Sequence, residues 1–128
     1  MATIKSYTDL EQSKKLAEIL PLESADYCWG LDVETSHYNS SPYPCAWKDY
    51  SCKEYYIPCW SLAALLGVLP RFIEYKGDKY YLRFMKEYVE YANDEVSITG
   101  RCLHTTGNDN LADACYQMIM ELNELKML

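Results

Sequence analysis

The feature that most constrains the fold is the spacing of apolar residues near the C-terminus. Seven of them recur in steps of three and four: Leu111, Ala114, Cys115, Met118, Ile119, Leu122 and Leu125. This period predicts an amphipathic helix. Asp109 or Asn110 is expected to be its N-cap, because short polar side chains accept hydrogen bonds from the first free amide groups. A helix with one apolar face needs a second layer to cover it.

Two further segments predict helices. Residues 8–11 have the spacing of a capping box, and the helix that begins there is expected to end at Leu20, because Pro21 cannot continue the hydrogen-bond ladder. Residues 60–66 are apolar almost all round, which is typical of a helix buried in the core.

The remaining regular segments predict antiparallel strands. They are rich in aromatic and β-branched residues, and Gly77 suits a tight hairpin turn. The segments are residues 25–33, 55–57, 71–75, 79–92 and 96–103. For residues 80–92 a helix is the alternative, because Leu, Met, Lys and Glu favour helices. The order is helix, strand, strand, helix, strand meander, helix. It predicts an α+β fold, with an antiparallel sheet of four to five strands packed against two or three helices in a single domain over residues 1–128.

A long irregular loop is predicted at about residues 34–54, where Pro42 and Pro44 are expected to block regular hydrogen bonding. This region and the residues just after it are unusually aromatic. Because Tyr and Trp are enriched in binding hot spots, we predict a binding site there. Its residues are His37, Tyr38, Tyr43, Trp47, Tyr50, Tyr55 and Tyr56. The alternative is that the segment folds over the sheet and its rings complete the core.

Charge and hydropathy narrow the classes of partner. The formal charge of −7 repels phosphate backbones, so no nucleic acid partner is expected. The sequence has no apolar run of membrane-spanning length and no secretion signal at its start, which predicts a cytoplasmic protein without a membrane partner. In that compartment the six cysteines are expected to be free thiols.

Two groups of residues are candidates for chemical sites. Cys45, Cys52 and Cys59 with His37 could supply zinc ligands, but none of these cysteines forms the short knuckle that structural zinc sites use, so no metal is predicted. Cys102 and His104 could form a thiol and imidazole pair, although a packed cysteine and a surface histidine are favoured. Phosphate-binding and hydrolase motifs are absent from the sequence. We therefore predict no cofactor, no catalytic residue and no enzyme activity.

Three blocks of the sequence carry a resemblance. They are residues 16–26 (LAEILPLESAD), residues 57–66 (IPCWSLAALL) with Leu69 and Pro70, and residues 113–115 (DAC) with Met118 and Ile119. Together they resemble a group of small uncharacterised proteins found in phages and mobile elements of gut anaerobic bacteria. The resemblance implies a genomic setting and assigns no catalytic residues.

The leading functional hypothesis is a non-catalytic binding protein, an accessory or counter-defence factor and inhibitor that docks on a host protein through the aromatic-rich loop. A second hypothesis is a small-ligand sponge in which the aromatic rings stack on a nucleotide signal. A third is a thiol enzyme that uses Cys102 or a loop cysteine with His104 or His37.

Overall fold

The computed structural model describes residues 5–32, 34–45, 56–84, 88–93, 103–104 and 110–128. Its helices are α1 (Leu10–Ala17), α2 (Leu62–Val68) and α3 (Leu111–Glu124), with a 3₁₀ turn at Leu22–Ser24. Its strands are β1 (Tyr27–Asp32), β2 (His37–Tyr38), β3 (Tyr43–Pro44), β4 (Tyr56–Cys59), β5 (Phe72–Tyr75), β6 (Asp78–Phe84), β7 (Val89–Ala92) and β8 (Leu103–His104).

The predicted α+β class and the antiparallel pairing of the strands are confirmed. The strands form two four-stranded sheets, β1 to β4 and β5 to β8, where the sequence had suggested one sheet. The chain also divides into two compact units. The first is residues 6–65, and the second is residues 66–128 with residues 1–5. The single domain over residues 1–128 stays a prediction.

Helix α1 begins one residue later than its sequence spacing indicated. Asp9 is the N-cap: its carboxylate accepts a hydrogen bond from the Gln12 amide at 2.8 Å, and the Gln12 side chain accepts one from the Asp9 amide at 3.0 Å. The capping box is therefore Asp9 to Gln12 and does not involve Thr8. The helix also ends earlier than predicted, at Ala17.

Thr8 has a different role, at the centre of a buried polar cluster between α1 and β4. Its hydroxyl accepts a hydrogen bond from the Trp60 amide at 3.2 Å and shares one with the Ser13 hydroxyl at 2.8 Å. Ser13 in turn accepts a hydrogen bond from the Trp29 indole at 3.3 Å. Thr8 and Ser13 are both fully buried, and these bonds offset the cost of removing their hydroxyls from water.

The second unit contains the hairpin that Gly77 predicted. Lys76 and Gly77 join β5 to β6 with φ angles of 51° and 85°. Two consecutive residues with positive φ make the type I′ turn, whose twist matches that of paired strands. The register places Phe72 opposite Tyr81 and Glu74 opposite Lys79.

Helix α3 covers one face of this second sheet and has the length and cap that its periodicity indicated. The Asn110 side chain accepts a hydrogen bond from the Asp113 amide at 2.8 Å, which decides between the two predicted caps. The helix contacts β7, where Val89 and Tyr91 are fully buried. Its own buried residues are Ala112, Ala114, Cys115, Met118, Ile119 and Leu122.

Candidate functional site

The structure describes four of the seven residues predicted to form the binding site. His37 and Tyr38 form β2, Tyr43 begins β3, and Tyr56 begins β4. Trp47, Tyr50 and Tyr55 lie outside the described residues. The predicted site therefore belongs, as far as the structure describes it, to the first sheet.

The described part of the predicted loop is more regular than its prolines suggested. β2 and β3 both pair with β1, and the Cys45 amide continues the pairing by donating to the Asp26 carbonyl at 3.1 Å. In this register Pro44 occupies a position whose amide would point away from β1. A proline there costs no inter-strand hydrogen bond.

Pro58 is placed in the same way on the other edge of β1. It lies opposite Cys28 in the β1 and β4 pairing. The even-numbered residues of β1 direct their backbone amide and carbonyl groups toward β2 and β3. For example, the Gly30 carbonyl accepts a hydrogen bond from the Asn39 amide at 2.9 Å. The Cys28 and Pro58 pair is thus not hydrogen-bonded, and β4 continues through the proline.

A compact turn sets the position of His37. The Asp32 carboxylate accepts hydrogen bonds from the amides of Glu34 at 2.9 Å and Thr35 at 3.4 Å. Ser36 has a φ of 60°, in the left-handed region, and its amide donates to the Asp32 carbonyl. The chain can therefore reverse and pair His37 with Asp32.

Three of the four described residues of the predicted binding site lie on the same face of β1. Directly paired residues of antiparallel strands project to the same side. His37 pairs with Asp32, Tyr43 with Cys28 and Tyr56 with Gly30, and these β1 positions alternate along one face. We call His37, Tyr43 and Tyr56 the aromatic face.

Tyr38 belongs to the opposite face. It pairs with Leu31, on the side of β1 that also carries Trp29, and the Lys14 ammonium of α1 lies 5.7 Å from its ring centroid. Tyr38 is half-buried and interacts with the helix that covers this side of the sheet. For Tyr38 the contact favours the alternative interpretation, in which an aromatic residue completes the packing.

Gly30 provides the space for the Tyr43 ring. A Cβ atom at Gly30 would lie 2.9 Å from the Tyr43 hydroxyl, 3.2 Å from its Cε1 and 3.0 Å from the Asn39 Nδ2. Gly30 is a site residue that the aromatic pattern of the sequence did not indicate. The sequence signal that could have indicated it is a glycine inside a predicted strand, because such a glycine often marks a place where a neighbouring group approaches the strand backbone closely.

Replacing Gly30 with alanine is therefore expected to move the Tyr43 ring off β1. The clash is with a side chain, so the ring can shift, and we expect a loss of about 1–2 kcal/mol in the free energy of unfolding. Urea unfolding of Gly30→Ala measures the loss. Gly67→Ala is the matched control, because a Cβ atom at Gly67, within α2, meets nothing within 4 Å. A larger loss for Gly67→Ala would contradict the proposed seat for Tyr43.

Two thiols of the first unit, those of Cys45 and Cys59, are held in their protonated form. Burial raises the pKa of Cys45 to about 12, with smaller contributions in the same direction from the neighbouring Cys28 thiol and Asp26 carboxylate. Burial also raises the pKa of Cys59, against the opposing effect of its hydrogen bonds with Thr8 and Ser13. Such thiols are poor nucleophiles at neutral pH.

The other predicted chemical groups are only partly described. Cys52 and Cys102 lie outside the described residues, and for His104 only the backbone pairing with Glu90 is described. Within the described ranges, no three His, Cys, Asp or Glu side chains are arranged to hold a metal ion. In the same part of the chain no helix is long and apolar enough to cross a membrane.

The electrostatic character of the first unit is strongly acidic. Residues 6–65 contain four lysines and nine Asp or Glu residues, a formal charge of −5. The carboxylate of Asp32 lies on the same side of β1 as His37. Asp26, further along that side, accepts hydrogen bonds from the amide and the hydroxyl of Ser61.

Comparison with protein-family models, curated proteins and solved structures finds no match.

Proposed function

We propose that this chain is a non-catalytic binding protein that docks on a partner protein through the aromatic face. The observation that carries the proposal is the convergence of His37, Tyr43 and Tyr56, which come from three different strands, onto one side of β1. Tyr43 and Tyr56 are half-buried and His37 is exposed. Aromatic rings anchored on a sheet contribute large contact area at a low entropic cost.

The charge of the first unit supports a partner with a basic surface. Its formal charge of −5 would attract such a partner at long range and raise the rate of association at low salt. The same charge disfavours a nucleotide, whose phosphates it repels. It thus favours protein docking over the hypothesis of a nucleotide sponge.

The biological role that we propose is that of a phage or mobile-element accessory factor acting on a host protein in the cytoplasm. The resemblance of three sequence blocks to small phage and mobile-element proteins supports this setting. Inhibition of the host protein, as in counter-defence, follows if docking covers a functional surface of that protein.

A thiol enzyme is disfavoured by the raised pKa values of Cys45 and Cys59. Alkylation rates at neutral pH test this hypothesis over the whole chain, including Cys102. A thiol that reacts much faster than free cysteine would support catalysis and count against our proposal.

The double variant His37→Ser/Tyr56→Ser is expected to weaken partner binding at least about tenfold, because hot-spot side chains each contribute more than 1 kcal/mol. Immobilised wild-type and variant proteins are incubated with lysate of a gut anaerobic bacterium, and captured proteins are quantified by mass spectrometry. The protein most depleted by the variant is then purified and titrated by calorimetry. Tyr43 is left unchanged because its ring packs on Gly30.

The matched control is Leu125→Ser/Leu128→Ser, which removes two exposed apolar side chains from the second unit. It should leave this binding unchanged. The proposal would be contradicted if the wild type and His37→Ser/Tyr56→Ser captured the same proteins in equal amounts while circular dichroism showed that both are folded.

A further inference from the structure

Strand β5 is an open edge of the second sheet. It pairs with β6 on one side, and no described residue pairs with it on the other. The Leu82 amide donates to the Arg71 carbonyl at 3.0 Å, so these two residues form a hydrogen-bonded pair. Because such pairs alternate along antiparallel strands, Phe72 and Glu74 direct their amide and carbonyl groups away from β6. An edge of this kind is a template for another strand.

The β5 edge lacks the features that usually protect edge strands. Prolines, lysines and bulges commonly prevent edge-to-edge pairing, and β5 has the sequence FIEY in a regular register with β6. On one side of the strand Ile73 is only 5% exposed and is part of the core. On the other side Phe72 is 43% exposed, and its ring lies 6.1 Å from that of Tyr81. A strand that paired with β5 would extend both the core and the aromatic surface.

The free backbone groups of β5 are arranged symmetrically about Ile73, since Phe72 precedes it and Glu74 follows it. A second β5 strand can run antiparallel to the first with the two Ile73 residues opposite each other. Phe72 of each copy then lies opposite Glu74 of the other, and each of these two pairs exchanges two hydrogen bonds. The pairing uses every backbone group that Phe72 and Glu74 direct away from β6.

The charges at this edge match those of a second copy. Glu74 lies opposite Lys79 in the register, yet the two form no ion pair, and the Lys79 ammonium lies 4.1 Å from the centroid of the Phe72 ring. Directly paired residues project to the same side, so Glu74 of a second copy would lie beside Phe72 and near this ammonium. Each copy would thus receive a carboxylate from the other. A strand of unrelated sequence would form the hydrogen bonds without pairing these charges by symmetry.

We propose that the chain forms a two-fold symmetric dimer in which β5 pairs antiparallel with β5 of a second copy, with the two Ile73 residues opposite each other. The pairing joins the second sheet of each copy into one sheet of eight strands, and the contact closes on itself. Residues 71–84 contain four Lys or Arg and two Asp or Glu residues, so the negative charge that repels two copies lies outside this hairpin. The dimer does not depend on the aromatic face or on the function proposed for it.

The first test is sedimentation velocity of the full chain from about 5 to about 500 µM, because a contact between two four-residue strands belongs to the weak class of interfaces. The wild type is expected to convert from monomer to dimer across this range. Glu74→Pro should weaken the dimer at least about tenfold, since the proline keeps the pairing with β6 but removes one hydrogen bond from each intermolecular pair. Glu74→Thr is the matched control: it removes the same carboxylate, keeps the amide and should weaken the dimer no more than about threefold.

A second experiment tests whether the occupant is another copy in this register. Glu74→Lys alone and Lys79→Glu alone each place like charges together across the axis, so each should dimerise at least about tenfold more weakly than the wild type. An equimolar mixture of the two variants should dimerise about as strongly as the wild type. In the mixed dimer, each ammonium again lies near a carboxylate of the other copy. A fluorescent label on one variant reports the mixed dimer by sedimentation.

Three outcomes would overturn the proposal. One is a wild-type monomer at every concentration, which would leave the β5 edge to a strand of another protein. Another is equal dimerisation of the wild type and Glu74→Pro. The third is a mixture of Glu74→Lys and Lys79→Glu that dimerises no better than either variant alone. Circular dichroism of each variant separates loss of the dimer from loss of the hairpin.

Discussion

Replacing Trp60 with alanine is expected to lower the free energy of unfolding by about 4 kcal/mol. The Trp60 side chain is fully buried, and its indole donates a hydrogen bond to the Ser24 hydroxyl at 2.9 Å. The substitution opens a cavity of nearly indole size in the first unit and removes this bond. Urea unfolding monitored by far-ultraviolet circular dichroism should give a lower midpoint with an unchanged slope.

Two substitutions test the cause of that loss. Trp60→Phe retains most of the ring and loses the hydrogen bond to Ser24, so its expected cost is about 1–2 kcal/mol. Tyr81→Ala removes an aromatic ring that is 47% exposed and should cost no more than about 1 kcal/mol. Similar midpoints for Trp60→Ala and Tyr81→Ala would contradict the buried position of Trp60.

A rise in pH to about 10.5 is expected to remove about 2 kcal/mol of stability through Cys115 alone. Burial raises the pKa of this thiol from 9.0 in the unfolded chain to about 12, and the residue is fully buried. Because the folded pKa is the higher one, the contribution is fully present below pH 9. It is lost as the pH rises from 9 toward 12, since the unfolded thiol ionises while the folded thiol cannot.

Urea unfolding at a series of alkaline pH values measures this dependence. Cys115→Ala should lower stability at neutral pH, where it leaves a small cavity, and should reduce the slope above pH 9. Burial also raises the pKa of Tyr91, whose hydroxyl donates to the Pro70 carbonyl at 2.7 Å, so Tyr91→Phe should reduce the slope further. An unchanged slope in Cys115→Ala would show that its thiol is not the group responsible.

The elements that sequence analysis located best are those determined by short-range patterns. Helix α3 has the predicted apolar face and a predicted cap at Asn110, because both depend on residues within a few positions of each other. The turn at Lys76 and Gly77 was found for the same reason, since positive φ is a local requirement. In α1 the spacing of residues 8–11 predicted Thr8 as the cap, which is wrong: the cap is Asp9, because Thr8 forms buried hydrogen bonds with Ser13 and Trp60.

The aromatic segment shows where local patterns stop being informative. Pro44 and Pro58 both lie in strands, although a proline usually argues against one. Whether a proline disrupts a sheet depends on the edge toward which its missing amide would point. That direction is a property of the pairing with β1, which cannot be obtained from either strand alone.

By itself the sequence determined three helices, a tight hairpin and an antiparallel α+β class, because apolar periods and turn residues act over a few positions. Only the tertiary structure decided that the strands form two sheets, that Tyr38 faces α1, and that His37, Tyr43 and Tyr56 share the other side of β1. The physical reason is that alternation along a strand specifies which side chains lie together. Which neighbour pairs with the strand, and which side it covers, depends on contacts between residues distant in the chain.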